Sequence, residues 1–589
     1  MKKKLILLLA LLMVMSLFLA ACGTDEDPVD EDENGEAVDD ENGDDEDEGD
    51  DEEEQATGER GGTLKFGDHE TAGTFNPIYY STAYDNYVLQ LVFNPLMIKD
   101  IDDEWVPEIA VDFPEIEEDG RVITYTLKED VVFSDGTPLT AHDVVFTFSA
   151  IADPSYVGRM GSVVDNLEGY QAYRDGEDED ALGVKALDDY TVEFTFAEPL
   201  RTNLSNTASM QILSESYYGE NASYGDTHDH ISGLNAEPLG AGPYVLEQYR
   251  PAQDVILVRN DNYMYEDHFL IEEIEYLFTT SDTEMEDLEA GTIHMVSTQI
   301  DPDNIERAEG IAGMEINGYP RNAYGYVKTN HESGPTSELE VRQALFHAMP
   351  FQEFVDGHFR GYAGVQYHPT FPASFHLTEE FEANLTTYEY DLDKAREILD
   401  DAGWVVGDSG YRERDGEVLE LRFLALAIEN HPLDSLIPLW TRDWGEALNI
   451  DLVIAYEDFN SLVETVINES DANVDEWHMF FLATSSVSSD PHTSVNGFDS
   501  ARIGNGQDNT SRYRNDRVDE LIAEGQRALT QEEATPIYQE LTQILVDDAV
   551  LMPMYVNTTH DFYYDHIKNL NTDSVYPWYL ALRHAYIEE

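Results

Sequence analysis

The chain reads as a multidomain protein of the α/β or α+β class. Three observations point there. From Gly61 onward, segments alternating at period two are interspersed with segments repeating at 3.6, and no internal repeat organises them. At 589 residues the chain is longer than one core organises, so several domains are expected. Its one cysteine, Cys22, lies near the N-terminus, so no disulfide contributes and the fold rests on hydrophobic burial.

The elements follow in order. Gly61-Gly62 precede a short strand, Thr63–Phe66. Ile123, Tyr125 and Leu127 alternate with polar neighbours, as do Val192, Phe194 and Phe196 after the turn-like Asp188-Asp189; both spacings predict half-buried strands. Thr140-x-x-Asp143 is a capping box opening a helix with Val144, Phe148 and Ile151 on one face. Val341, Ala344, Leu345 and Ala348 keep helical spacing. Asp391 caps a helix carrying Leu392, Ala395, Ile398, Leu399 and Ala402, which Gly403 stops. Val518, Leu521, Ile522 and Gly525 predict another, and Pro536 at a first turn predicts one carrying Ile537, Leu541, Ile544 and Leu545.

The N-terminus has a different texture. Three lysines, an apolar run from Leu5 to Leu19 and then Leu19-Ala20-Ala21-Cys22 have the layout of a secretory signal. The run is shorter than the roughly 20 residues that span a bilayer. Ending on a cysteine, residues 1–21 resemble a bacterial lipoprotein signal peptide, which implies that Cys22 becomes the acylated first residue. Residues 22–60 have almost no apolar content and are expected to form a disordered acidic tether, because such a tract cannot offset its ordering entropy. Extended, the 37 residues from Thr24 to Arg60 reach at most about 130 Å. Asp30-x-Asp32-x-Asn34-Gly35-x5-Glu41 satisfies the EF-hand loop pattern. Without flanking amphipathic helices, it reads as diffuse cation condensation, and no metal site is assigned.

Charge narrows the partners. Residues 24–60 carry 22 Asp/Glu against one Arg; with the three N-terminal lysines also set aside, the overall −90 leaves −72 on residues 61–589, where only seven lysines occur. Such a surface excludes nucleic acid and anionic lipid headgroups. It resembles halophile surfaces, whose self-repulsion is screened when the Debye length falls to roughly 3 Å at 1 M salt. Catalytic signatures are missing: no G-x-S-x-G elbow, no H-E-x-x-H, no phosphate loop. The chain is read as a non-enzyme without a cofactor.

Collinear segments carry a resemblance. Tyr125-Thr-Leu-Lys-Glu-Asp-Val-Val-Phe-Ser-Asp-Gly-Thr-Pro-Leu-Thr-Ala-His-Asp-Val-Val-Phe146 resembles the signature of the oligopeptide/dipeptide/nickel-type solute-binding proteins, family 5 of the bacterial ABC importers. Thr74-Phe75-Asn76-Pro77, Gly240-Ala241-Gly242-Pro243-Tyr244, Val341-Arg342-Gln343-Ala344-Leu345, Tyr390-Asp391 through Ala402-Gly403-Trp404 and Val518-Asp519-Glu520-Leu521-Ile522 fall in family order.

The resemblance implies an α/β, two-lobed periplasmic-binding-protein-like clamp of type II, built from three interleaved domains. Mapped by order, lobe I takes 61–105, 225–320 and 556–589, a small accessory domain 106–224, and lobe II 321–555, with hinges near 320 and 555. It implies a monomer on the outer face of the membrane, held there by lipid alone, that captures di- or oligopeptides in the interlobe cleft for ABC permease subunits. An oligosaccharide, a nickel chelate or a peptide signal remain alternatives. Peptide binders of this family anchor the ligand ammonium on a buried aspartate, and Asp490 in Ser488-Ser489-Asp490-Pro491-His492 stands at the corresponding place. Tyr79, Tyr80, Tyr324 and Trp477 are candidate cleft walls. Arg321, next to a hinge, is a candidate for a ligand carboxylate, and His492 for a chelate.

Overall fold

A computed structural model of the chain describes residues 58–588, apart from 118–119, 221–222, 281–282, 428–430 and 487. The expected signal peptide, Cys22, most of the acidic tract and the EF-hand-like pattern lie outside the described residues. Among the described residues no helix is long and apolar enough to cross a membrane.

One twelve-stranded sheet dominates. Asp451–Glu457, Glu420–Leu426, Met479–Ser485 and Ala323–Thr329 form one half; Met295–Gln299, Thr63–Asp68, Glu273–Phe278, Asp254–Arg259 and Tyr244–Arg250 form the other. The 14-residue strand Leu551–Tyr564 lies between and belongs to both. Its first part pairs with Ala323–Thr329 and its last part with Met295–Gln299 and Met314–Pro320. Only Arg321 and Asn322 separate Met314–Pro320 from Ala323–Thr329, so the chain passes from half to half twice, side by side.

Alternation within the strands decides which core each side chain joins. In the half containing Ala323–Thr329, Val327, Phe423, Met479 and Phe481 face one core, completed by the helices Leu339–His347, Leu392–Asp401 and Leu433–Trp440. Tyr324, Tyr326, Leu424 and Phe480 face the opposite core under Asp516–Arg527 and Gln531–Asp547. Covering both faces produces the near-continuous burial of Ala323–Thr329. The other half shares a large core with a separate antiparallel sheet, ordered Glu115–Glu117, Val122–Thr126, Thr191–Thr195, Val184–Asp188. The helix Ala141–Ala152 packs on it, Phe148 edge-on to Phe194 at 4.8 Å.

Local chemistry sets the boundaries. Thr140 and Asp143 make both bonds of the capping box. Asp391 caps through the amides of Asp393 and Lys394, and Gly403 ends that helix at φ +87°. Asn515 caps Asp516–Arg527. The expectation at Pro536 is corrected: the helix starts five residues earlier, at Gln531, where Thr530 accepts from the Glu533 amide. Pro536 sits inside it on an exposed position, so the carbonyl that its missing N–H leaves unpaired is on the solvent side.

The glycines of Gly240-Ala241-Gly242 have a packing reason. A Cβ on Gly240 would come within 2.1 Å of the Val92 carbonyl oxygen, and one on Gly242 within 2.5 Å of the Val92 carbonyl carbon. Gly242→Ala therefore displaces the end of the helix Ala83–Val92 and is expected to lower the unfolding free energy by about 1–3 kcal/mol, read from the denaturant midpoint.

Burial also sets a pH response. His331, bonded to the Val550 carbonyl at 2.8 Å, and His376, at 3.0 Å from the Thr542 hydroxyl, are held by desolvation at about 3, against an ordinary 6.5. Between those values the unfolded chain binds protons that the folded one does not, so stability falls as pH drops below 6.5. Replacing both by Asn is expected to reduce the slope of unfolding free energy between pH 7 and 5, above the carboxylate range; an unchanged slope contradicts the assignment.

Candidate functional site

Where the chain crosses between the two halves, a cavity of about 610 Å³ opens, lined by Tyr80, Ala83, Asn86, Tyr87, Arg159, Tyr319, Arg321, Asn322, Ser485, Ser486, Thr559, Asp573, Ser574, Pro577 and Tyr579. Such a volume falls in the usual range for small-ligand sites.

Each wall is positioned by local bonds. Asn76 is fully buried; its side chain accepts from the Ile78 amide at 3.2 Å, and its carbonyl accepts from the amides of Tyr79 and Tyr80. That turn delivers Tyr80 to the cavity just before the helix Ala83–Val92, which Thr82 caps by accepting from the Asp85 amide. Buried Asp85 takes the amides of Gly73 and Thr74 and the Thr82 hydroxyl, tying the Thr74–Pro77 segment to this helix. Tyr87, pushed up to about 12 by burial, packs 5.5 Å from Tyr579.

On the other side, Asn322 donates to the carbonyls of Ser486 and Ser488 at 3.0 and 3.1 Å and accepts from the Ala373 amide. The Arg321 amide bonds the Asn557 carbonyl, so both crossing strands fix this corner. Tyr319 donates to Asp561 at 3.0 Å. Arg159, in the short turn Arg159–Val163, places its guanidinium 5.0 Å from the Tyr80 ring centre, at cation–π distance.

Of the expected residues, Tyr80 and Arg321 reach this cavity and five do not. Tyr79 turns away, its hydroxyl bonded to His228 Nδ1 and its ring 5.6 Å from Tyr156. Tyr324 is buried against Phe371 and donates to the Pro369 carbonyl. Trp477 is fully buried against Phe480. Tyr324, turned inward by strand alternation, and Trp477 are core residues, and Tyr79 is half-buried against the core.

Asp490 already has a cationic partner within the protein. Its carboxylate pairs with Arg201 at 2.8 Å and accepts the His492 amide. Arg201 lies between the rings of Phe375 and Tyr538, donates to the Tyr538 hydroxyl at 3.1 Å, and sends its backbone amide to the Gln526 carbonyl. His492 is buried beside this pair, 2.7 Å from the Gln526 amide group; desolvation lowers its pKa, so it is neutral at pH 7. Arg527–Glu198 and Ser489–Asp103 continue the same contact, which joins the 103–201 region to the 489–538 region.

Arg159, Tyr87, Tyr319 and Asp573 were not expected from sequence. One signal was available: the windows 154–164 and 316–331, which contain Arg159 and Arg321, hold no Asp or Glu in a chain with 122 of them.

Residues 104–506 match the family model described as bacterial extracellular solute-binding proteins, family 5, middle. The oligopeptide-binding protein AppA of Bacillus subtilis is 22% identical over 564 residues, covering 95% of this chain and 94% of that one. The nickel-binding periplasmic protein of Escherichia coli is 23% identical over 501 residues, covering 82% and 86%. Among solved structures, the substrate-binding protein CtaP of Listeria monocytogenes superposes with a TM-score of 0.74 at 21% identity, covering 90% of this chain and all of that one. It shares the fold.

Removing the Asp490 carboxylate strands a guanidinium whose side chain is 11% exposed. Asp490→Ala is expected to cost about 1–3 kcal/mol, and the pair Arg201→Met with Asp490→Leu less than the sum of its single changes. Additive costs in a double-mutant cycle would exclude coupling.

Proposed function

The chain belongs to the bacterial extracellular solute-binding proteins, family 5, and from that premise we propose that it captures peptides in the cavity at the double crossing and delivers them to the permease subunits of an ABC importer. One observation carries this reading: the cavity takes its walls from both halves of the sheet at the place where two adjacent strands join them. A ligand held there contacts both halves at once, so binding energy is available to favour the closed arrangement.

The remaining assignments belong to the same proposal. Residues 61–105, 225–320 and 556–589 act as lobe I, 106–224 as the accessory domain and 321–555 as lobe II, with motion at the crossings near 320 and 555. Cys22 carries lipid, and the acidic tract holds a monomeric clamp near its permease, raising the effective concentration of captured solute. The protein works in strong brine, where salt screens its −72. It performs no chemistry on what it binds. The peptide reading draws on the relatives, among them an oligopeptide-binding protein.

The full chain is purified in 2 M KCl and its bound small molecules are released with acid and identified by mass spectrometry. A mixture of short peptides is expected, and adding that mixture back to the stripped protein raises the melting temperature without consuming the peptides. Release of a sugar or a metal chelate instead overturns the peptide reading.

A further inference from the structure

All arginines lie among the described residues, and nearly all of their guanidiniums are committed to protein acceptors. Most pair with carboxylates. Arg121, Arg174, Arg259 and Arg342 instead donate to backbone carbonyls. Only Arg159 and Arg321 do neither: among the described residues, no carboxylate lies within ion-pair distance of either guanidinium and no acceptor takes its N–H groups. Both line the same cavity. With 122 Asp/Glu against 32 Lys/Arg, acceptors are abundant everywhere, so two guanidiniums in one cavity that pair with no protein carboxylate stand out.

Asp573 lines the cavity too, and no cationic side chain pairs with it among the described residues. Asp561, behind this wall, is already occupied by the hydroxyls of Tyr319 and Thr572. The cavity surface therefore presents two permanent positive charges and one carboxylate. In this arrangement Arg159 is exposed and Arg321 half-buried, so water solvates both; a guanidinium cannot shed its proton in a protein, and enclosing one without a partner is costly. Closure around a ligand is favourable when the ligand supplies the missing negative charge.

We infer that the ligand carries one more carboxylate than ammonium: a short peptide with a single acidic side chain, its two carboxylates on Arg159 and Arg321 and its ammonium on Asp573. The inference rests on the peptide reading above for the ligand's class, and on the unclaimed charges for its net charge. Arg159 comes from the 106–224 region and Arg321 from the crossing, so the two carboxylates join parts of the protein that no direct ion pair among the described residues joins at this cavity. Strong salt screens the acidic exterior that would repel such a ligand, while enclosed pairs are screened much less.

The test is calorimetric titration of the full, ligand-stripped chain in 2 M KCl with the tripeptides Ala-Ala-Glu, Ala-Ala-Gln and Ala-Ala-Lys, repeated with Arg159→Gln and Arg321→Gln. Ala-Ala-Glu is expected to bind about tenfold or more tighter than Ala-Ala-Gln, with Ala-Ala-Lys weakest. Each substitution is expected to abolish the preference of Glu over Gln while the melting temperature without ligand stays at the wild-type value. Equal affinity for the three peptides, or a preference that survives both substitutions, overturns the inference and leaves peptide capture standing. If no peptide binds but citrate does, and needs both arginines, the charge assignment holds and the peptide reading falls. Binding of neither peptides nor citrate overturns both.

Discussion

The structure depends on one shared strand. Leu551–Tyr564 is hydrogen-bonded into both halves of the large sheet, and a second passage, Met314–Pro320 into Ala323–Thr329, runs beside it. Two glycines make this close packing possible. A Cβ on Gly318 would come within 2.6 Å of the His560 ring, and one on Gly325 within 2.2 Å of the Tyr555 ring. The register shifts between Gly325 and Tyr326, beside the two-residue link Arg321-Asn322. The crossing supplies the cavity with Tyr319, Arg321, Asn322 and Thr559.

The segment after strand Met479–Ser485 connects the cavity to a second contact. Ser485 and Ser486 line the cavity; the Ser486 and Ser488 carbonyls hold Asn322; Ser489 and Asp490 meet Asp103 and Arg201. Within six residues one stretch of chain passes from cavity to ion pair. The ion pair is largely sequestered, at 11% and 27% side-chain exposure, so it resists the screening that weakens surface pairs. Asp490, which resembled a ligand anchor, is thus tied to Arg201 within the protein, and the cavity itself carries Arg159, Arg321 and Asp573.

This division of roles suits an acid-rich chain. On the surface, arginines are outnumbered and bind carboxylates nearly everywhere; Arg517 alone meets Glu520, Glu524 and Glu540. A positive site survives only where the fold withholds acid. Aromatic side chains supply much of the wall here: Tyr80 lies under Arg159, and Tyr87, Tyr319 and Tyr579 line the cavity.

Local structure was legible in the residues themselves. The capping box at Thr140 and Asp143, the Asp391 cap, the Gly403 stop and the alternation of Ile123, Tyr125, Val192 and Phe194 all recur in the fold, because each depends on neighbours a few positions away. Even the failure at Pro536 was local: Thr530 offered a stronger start, and an exposed position tolerated the proline. The site was only partly legible. Tyr80 and Arg321 lay close to recognisable segments, but Tyr324 and Trp477 went to the core, and Asp490 went to Arg201, 289 residues away. Composition and periodicity determined the elements, their buried faces and the excess of negative charge. Tertiary structure decided which charges are neutralised and which are left open, because an ion pair is a contact between distant segments and a vacant guanidinium is defined by everything that packs around it.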